Sequence, residues 1–141
     1  MPVEIVRAQP DAVATFYRDH TREALRTFYG FNVIWHEQMH DFAALEGDRT
    51  CGAATIRIAA SLAHVERVIV APQQRRNGIG KRLLEAAAEV ANYYNCHKMS
   101  VMVPHRSAAQ SFFEACDYRE EAVLPQHTFK LDVSVLRKFL L

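Results

Sequence analysis

The sequence predicts an α+β domain built on a mixed sheet. Three observations predict it. Short alternating segments recur, as where Met99, Val101 and Val103 are interleaved with Lys98, Ser100 and Met102. Stretches with apolar residues at helical spacing separate several of them. The resulting order, βα–βββ–αβ–αββ, puts consecutive strands in a meander before the pattern changes to alternating helix and strand.

Taken in order, Val3–Arg7 is expected as a first strand, Val3 and Ile5 alternating with Glu4. Pro10-Asp11 opens a helix with Asp11 as its N-cap. Val13, Phe16, Tyr17, Ala24, Leu25 and Phe28 give its apolar positions and Gly30 its stop. One long helix and two short ones broken near Thr21 both fit. The aromatic, histidine-rich stretch Phe31–His40 reads as a substrate-facing loop or a packed connection. Asp41–Glu46, Thr50–Ala59 and His64–Val70 are expected strands, joined by turns at Gly47-Asp48 and near Ser61. A helix follows from about Gly78 to Asn95, with Ile79, Leu83, Leu84, Ala87 and Ala91 on one face. His97–Val103 is the next strand. Ser107 and Gln110, in capping-box spacing, open a helix to about Cys116. Tyr118–Glu121 and His127–Val133 are expected as the last strands. The apolar tail Val133–Leu141 suits either packing on the sheet or a contact between two copies in a homodimer.

No repeat or Ser/Gly/Pro linker divides the 141 residues, so residues 1–141 read as one domain. Half the residues are apolar and 23% charged, which excludes a disordered or collagen-like chain. Seventeen basic against 16 acidic side chains leave a net charge of +1, with no global drive towards nucleic acid or an anionic membrane. No apolar run approaches the ~18 residues of a membrane span, and the N-terminus has no secretory pattern. Three widely spaced cysteines, Cys51, Cys96 and Cys116, argue for free thiols in a reducing cytoplasm. His36 and His40 have ligand spacing but no third partner in sequence, so no metal site is expected.

The most informative segment is Val68-Ile69-Val70-Ala71-Pro72-Gln73-Gln74-Arg75-Arg76-Asn77-Gly78-Ile79-Gly80-Lys81. A strand ends, Pro72 breaks it, and a glycine-containing turn leads straight into a helix. The free N–H groups and dipole of that helix's first turn favour an anion. Gly78 and Gly80 allow close backbone approach, and Arg75, Arg76, Lys81 and Arg82 add positive charge. This is the chemistry of a pyrophosphate cradle. A Walker loop would need a glycine where Arg75 stands and Ser or Thr where Arg82 stands. A dinucleotide fingerprint would need a small residue where Leu83 stands.

Arg75–Gly80 does match Gln/Arg-x-x-Gly-x-Gly/Ala, and here the chain resembles the GCN5-related N-acetyltransferase (GNAT) superfamily. Val68–Pro72 resemble the strand and proline before that motif. The run Ala109…Phe112-Phe113-Glu114…Tyr118 resembles its second region. The resemblance implies a GNAT-like, mostly antiparallel mixed sheet with helices on both faces. It also implies acetyl-CoA as donor, with the diphosphate on the backbone of Arg76, Asn77, Gly78, Ile79, Gly80 and Lys81. The backbone of Val68, Ile69 and Val70 would pair with the pantetheine arm, and the Val70 N–H would be a candidate oxyanion donor. Phe113 stands where the family carries a tyrosine that protonates the leaving thiolate. It is expected to pack on the cofactor instead, so that the general acid is absent, is a water, or is another group such as Tyr17 or Tyr29.

Acetyl transfer to an amine requires that an ammonium of pKa about 10.4 lose its proton. His64 and Glu66, two apart on one strand, share a face and are the candidate bases. No cysteine stands in a nucleophile setting, so direct attack of the amine on the thioester is expected. The acceptor class that fits is a primary amine on a small molecule or amino acid. Two rivals remain: a non-catalytic acyl-CoA-binding module, which Phe113 favours, and a toxin that acetylates aminoacyl-tRNA, which the net charge disfavours.

Overall fold

The computed structural model describes residues 2–140 and divides into two compact units, 2–35 and 36–140. In the first, residues 10–29 form one unbroken helix, α1 (Pro10–Tyr29), with no break near Thr21. Pro10 takes the first helical position and Gln9 is the N-cap, so Asp11 lies inside the first turn, where its carboxylate faces the positive end of the dipole. Gly30 ends the helix in the left-handed conformation (φ 80°), its N–H donating to Arg26 O at 2.9 Å. The expected strand Val3–Arg7 does not form. Alternation alone makes no strand: a ladder partner is required.

The second unit is a six-stranded sheet with two helices. Its strands are β1 (Gln38–Glu46), β2 (Arg49–Ala59), β3 (Leu62–Val70), β4 (Lys98–Pro104), β5 (Arg119–Leu124) and β6 (Val133–Phe139), in the order β1-β2-β3-β4-β6-β5. Only the β3–β4 pair is parallel; the rest are antiparallel. A parallel pair needs a crossover, and α2 (Ile79–Tyr93) supplies it. The helix α3 (Ala108–Ala115) follows β4.

One buried cluster unites these elements. Ile56, Ile58, Ala63, Val65, Met99 and Val101 of the sheet pack with Leu84, Ala87 and Ala91 of α2 and Phe113 of α3. Leu83, Leu84, Ala87 and Ala91 are buried as their spacing predicts. Ser107 caps α3, its Oγ accepting from the Gln110 N–H at 3.1 Å.

The end of the chain departs from expectation. Of the expected strand His127–Val133 only Val133 is strand, as the first residue of β6; residues 127–132 form a turn, with φ of 54° and 64° at Phe129 and Lys130 and 44° at the preceding Gln126. The apolar tail is itself the strand β6, inserted between β4 and β5 with Leu136 fully buried, so it packs within the sheet. Leu141 lies outside the described residues. No helix among the described residues is long and apolar enough to cross a membrane.

Candidate functional site

The parallel ladder of β3 and β4 is short. It joins Leu62 to Lys98, Ala63 to Met99 and His64 to Ser100, then stops, although β3 continues to Val70 and β4 to Pro104. A bulge coincides with the parting. The β2–β3 register passes from Ile56↔Val65 to Thr55↔Arg67, leaving Glu66 as the extra residue, and a bulge bends and twists the strand that carries it.

Above the bulge, alternation decides which backbone groups are free. The Ala71 N–H donates to Cys51 O at 2.8 Å. Pairing alternates along an antiparallel ladder, so Ile69 is the next residue bonded to β2, opposite Ala53. The N–H and C=O of Val68 and Val70 therefore point to the side that β4 has left. The Val70 carbonyl accepts from Arg75 Nε at 3.2 Å. Of the three strand residues, Val68 and Val70 turn backbone to the open side, the Val70 carbonyl there being taken by Arg75. The Ile69 backbone is committed to β2; the residue borders the cleft and is largely exposed.

The loop after β3 makes a short 3-10 turn at Pro72–Gln74, which Gln74 ties to β1 by a 2.8 Å bond from Nε2 to Glu46 Oε2. Arg76 and Gly78 both adopt positive φ, 66° and 74°. Gly78 caps α2 without a side-chain bond, and the first bond back to it comes from the Arg82 N–H at 3.0 Å. The N–H groups of Ile79, Gly80 and Lys81 thus have no helical partner. Gly80 serves packing: a β-carbon there would stand 2.8 Å from Phe112 Cζ. Gly78 serves the turn.

A cleft of about 710 Å³ lies between these parts. Val68, Ile69 and Val70 form one wall, the Arg75, Arg76 and Gly78–Lys81 segment its head, and Ala108, Phe112, Ala115 and Cys116 the opposite wall. Asn77 is not in the lining, and Arg82 projects into a separate groove with Asp41 between β1 and α2. Phe113 is not in the cleft either. It is 5% exposed and stacks edge-on against Phe112 and Tyr118 at centroid distances of 5.1 and 5.2 Å. Helical spacing explains the exchange: Ala108, Phe112 and Ala115 recur at i, i+4 and i+7 and form the cleft stripe, while Gln110 and Phe113 turn inward. That spacing is visible in the sequence and could have identified Phe112. Tyr17 and Tyr29 belong to α1, in the unit 2–35.

His64 and Glu66 come together with Arg57, which with Arg67 is one of the two arginines the sequence offers Glu66 as an ion-pair partner. Arg57, opposite His64 on β2, places Nε 2.6 Å from Glu66 Oε1 and Nη1 3.6 Å from Glu37. The Arg57 hydrogen bond holds the Glu66 carboxyl below its usual range. Burial pushes the half-buried His64 below the usual imidazole value, against the pull of Glu66. At neutral pH this leaves a carboxylate and a neutral imidazole at the point where the strands part. Neither side chain is in the lining of the cleft, whose β3 wall begins at Val68.

The profile of the acetyltransferase (GNAT) domain family matches residues 5–127. The chain belongs to this family. As a GNAT acetyltransferase it takes acetyl-CoA as donor, and the cleft fits that group: unpaired N–H groups and three cations at one end, free strand backbone along one side. Solved structures share the fold. An acetyltransferase from Bacillus cereus ATCC 14579 is similar at 15% identity and a TM-score of 0.76, covering 97% of this chain and 98% of that one. The ribosomal-protein-S18-alanine N-acetyltransferase of Escherichia coli is similar at 17% identity and 0.64, covering 95% and 91%. A Bacillus anthracis protein assigned as a streptothricin acetyltransferase, solved with acetyl coenzyme A, is similar at 18% and 0.68, covering 72% and 62%. No protein of curated function matches the sequence.

Proposed function

We propose that this GNAT acetyltransferase acetylates a primary amine of a small molecule or amino acid, the amine attacking the thioester directly. The observation that carries the reading is the parting of β3 and β4 above the uncapped start of α2. It leaves strand backbone and helix N–H groups free along one cleft. Acetyl-CoA supplies the activated acetyl group. The N–H groups of Ile79, Gly80 and Lys81, with Arg75 and Arg76, hold its diphosphate. Val68 and Val70 offer backbone to its arm, and the Val70 N–H stands ready to stabilise negative charge on the reacting carbonyl. His64, neutral at pH 7, takes the proton of the incoming ammonium, and Glu66 stabilises the imidazolium that results. The Cys116 thiol, pushed up by burial, is a poor nucleophile, which supports direct attack.

We take the two units together as one acetyltransferase domain, because the family match runs through both. Unpaired cysteines suit the cytoplasm, where we place the enzyme.

Thermal unfolding with and without acetyl-CoA tests the reading first. At ~100 times its dissociation constant, the ligand should add about 2.7 kcal/mol, a shift of roughly 8 °C for this size. The shift should vanish in Gly80→Asp. Thiol release with a panel of amines then identifies the acceptor. No shift with acetyl-CoA or CoA overturns the proposal.

A further inference from the structure

Behind the α3 wall of the cleft lies a polar cluster that runs from the core out to an exposed carboxylate, Glu120. Ser134 on β6 is fully buried and Gln110 on α3 is 6% exposed. Around them stand His105, just after β4, and Glu120 on β5. Ser134 Oγ is 2.7 Å from Glu120 Oε1, 2.7 Å from His105 Nδ1 and 3.0 Å from Gln110 Oε1. Gln110 Nε2 is 3.1 Å from the same Glu120 oxygen, as is His105 Nδ1. The Arg106 N–H donates to Gln110 Oε1 at 2.6 Å.

Counting protons orients this cluster. His105 Nδ1 also faces the Glu120 carboxylate, so it carries a proton; the one proton of serine then has two acceptors, and the shorter contact is the carboxylate. Gln110 Oε1 is already taken by the Arg106 N–H, so its Nε2 must donate, and Glu120 Oε1 is the acceptor in reach. A flipped Gln110 would set its oxygen against the carboxylate and lose the Arg106 bond. Glu120 and the Arg106 N–H therefore hold the Gln110 amide between them, one at each end. Gln110 in turn holds the turn entering α3, where Arg106 sits at φ 58°, an unfavourable conformation for a side-chain-bearing residue. The wall of the cleft hangs from that turn: Ala108 and Phe112 follow it, and Phe112 packs where a side chain on Gly80 would stand.

We infer that Glu120, which lines no part of the cleft, is a positioning residue for cofactor binding: through the Gln110 amide it sets the α3 wall against the start of α2. The inference rests on the cleft being the acetyl-CoA site.

The test compares Glu120→Ala, Glu120→Gln and Gln110→Leu with Glu121→Ala. The last, next to Glu120 on β5, breaks a 2.6 Å ion pair with Lys98 of β4 and leaves Gln110 untouched. Calorimetry gives the acetyl-CoA Kd of folded protein, and saturation kinetics give kcat. Glu120→Ala and Gln110→Leu should each raise Kd about tenfold while kcat at saturation stays near wild type. Glu120→Gln, which keeps an acceptor oxygen, should recover most of the loss. Glu121→Ala should lower stability alone. A folded Glu120→Ala with the wild-type Kd overturns the inference, as does Glu121→Ala raising Kd equally. If Glu120→Ala does not fold, Gln110→Leu carries the same test. If wild-type protein binds no acetyl-CoA, the functional reading fails. Amide exchange then still tests the mechanical claim: it should quicken across residues 106–112 in Glu120→Ala and not in Glu121→Ala, and equal exchange would overturn it.

Discussion

The ring of Phe112 fills the space that a side chain on Gly80 would need, with Cζ 2.8 Å and Cε1 2.9 Å from the position of the missing β-carbon. The start of α2 and the middle of α3 are thus fitted to each other at the head of the cleft. Gly80→Ala should force the ring aside, at a cost of about 1–3 kcal/mol, and should weaken acetyl-CoA binding. Adding Phe112→Ala should relieve the strain, so the double variant falls well short of additivity. Urea unfolding of the four proteins checks this.

Phe113 makes the opposite case. Its burial beside Tyr118 means that Phe113→Ala should cost about 3–5 kcal/mol. Phe113→Tyr should not create an acid for the leaving thiolate. Its hydroxyl would enter an apolar core without a partner, at a cost of about 1–3 kcal/mol, and kcat should not rise. A gain in kcat would show that this side chain reaches the reacting atoms after all.

Arg76 should separate stability from affinity. It holds φ 66° with a side chain, so Arg76→Gly should relieve backbone strain and stabilise the ligand-free protein by up to about 1 kcal/mol. The same change removes one of three cations at the cleft head and should weaken acetyl-CoA binding several-fold at low salt, less at high salt. Melting temperature and Kd should move in opposite senses.

His64 should leave a mark on the pH dependence of stability. Burial lowers its folded pKa below the usual 6.5. Between the two values the unfolded chain binds more protons, so stability falls as pH drops below about 6.5 and the loss is complete below the folded pKa. Glu66 adds a second loss at lower pH: its carboxylate, held down by Arg57, contributes above its usual 4.5 and ceases to as pH falls through the folded value. His64→Gln should flatten the first step and keep the second. Arg57→Ala should cost under about 1 kcal/mol at neutral pH, the pair being well exposed, and should remove the second. Urea midpoints at pH 7.5, 5.5 and 4 resolve the two.

Much of this architecture is legible in the residues. Strands β2 to β4 and the buried face of α2 follow from period and turn chemistry alone, and the Arg75–Gly80 loop follows from the residues an anion cradle needs. What is hidden has physical reasons. Residues 126–130 take left-handed backbone at Gln126, Phe129 and Lys130 with no glycine to announce it, so they pass for a strand. The true strand, β6, has neighbours on both sides and buries Val133, Ser134 and Leu136 alike, which erases the alternation that would reveal it. Phe112 and Phe113 are adjacent and chemically identical, and only helical phase assigns one to the cleft and the other to the core. The bulge at Glu66 is hidden as well, because no local pattern predicts an extra residue in a ladder.

The position of β6 also bears on how the molecule is made. Strand β5 pairs only with β6, and β4 meets β6 along its whole length from Lys98 to Pro104. During synthesis, residues up to 124 leave the ribosome with β5 unpaired and one long side of β4 open. The sheet can close only when β6, made after both, slides between two strands that have been waiting. Such late, non-local pairing slows folding and exposes sticky edges in the meantime. Chaperone demand in the cell should therefore depend on β6 far more than on any residue of the cleft.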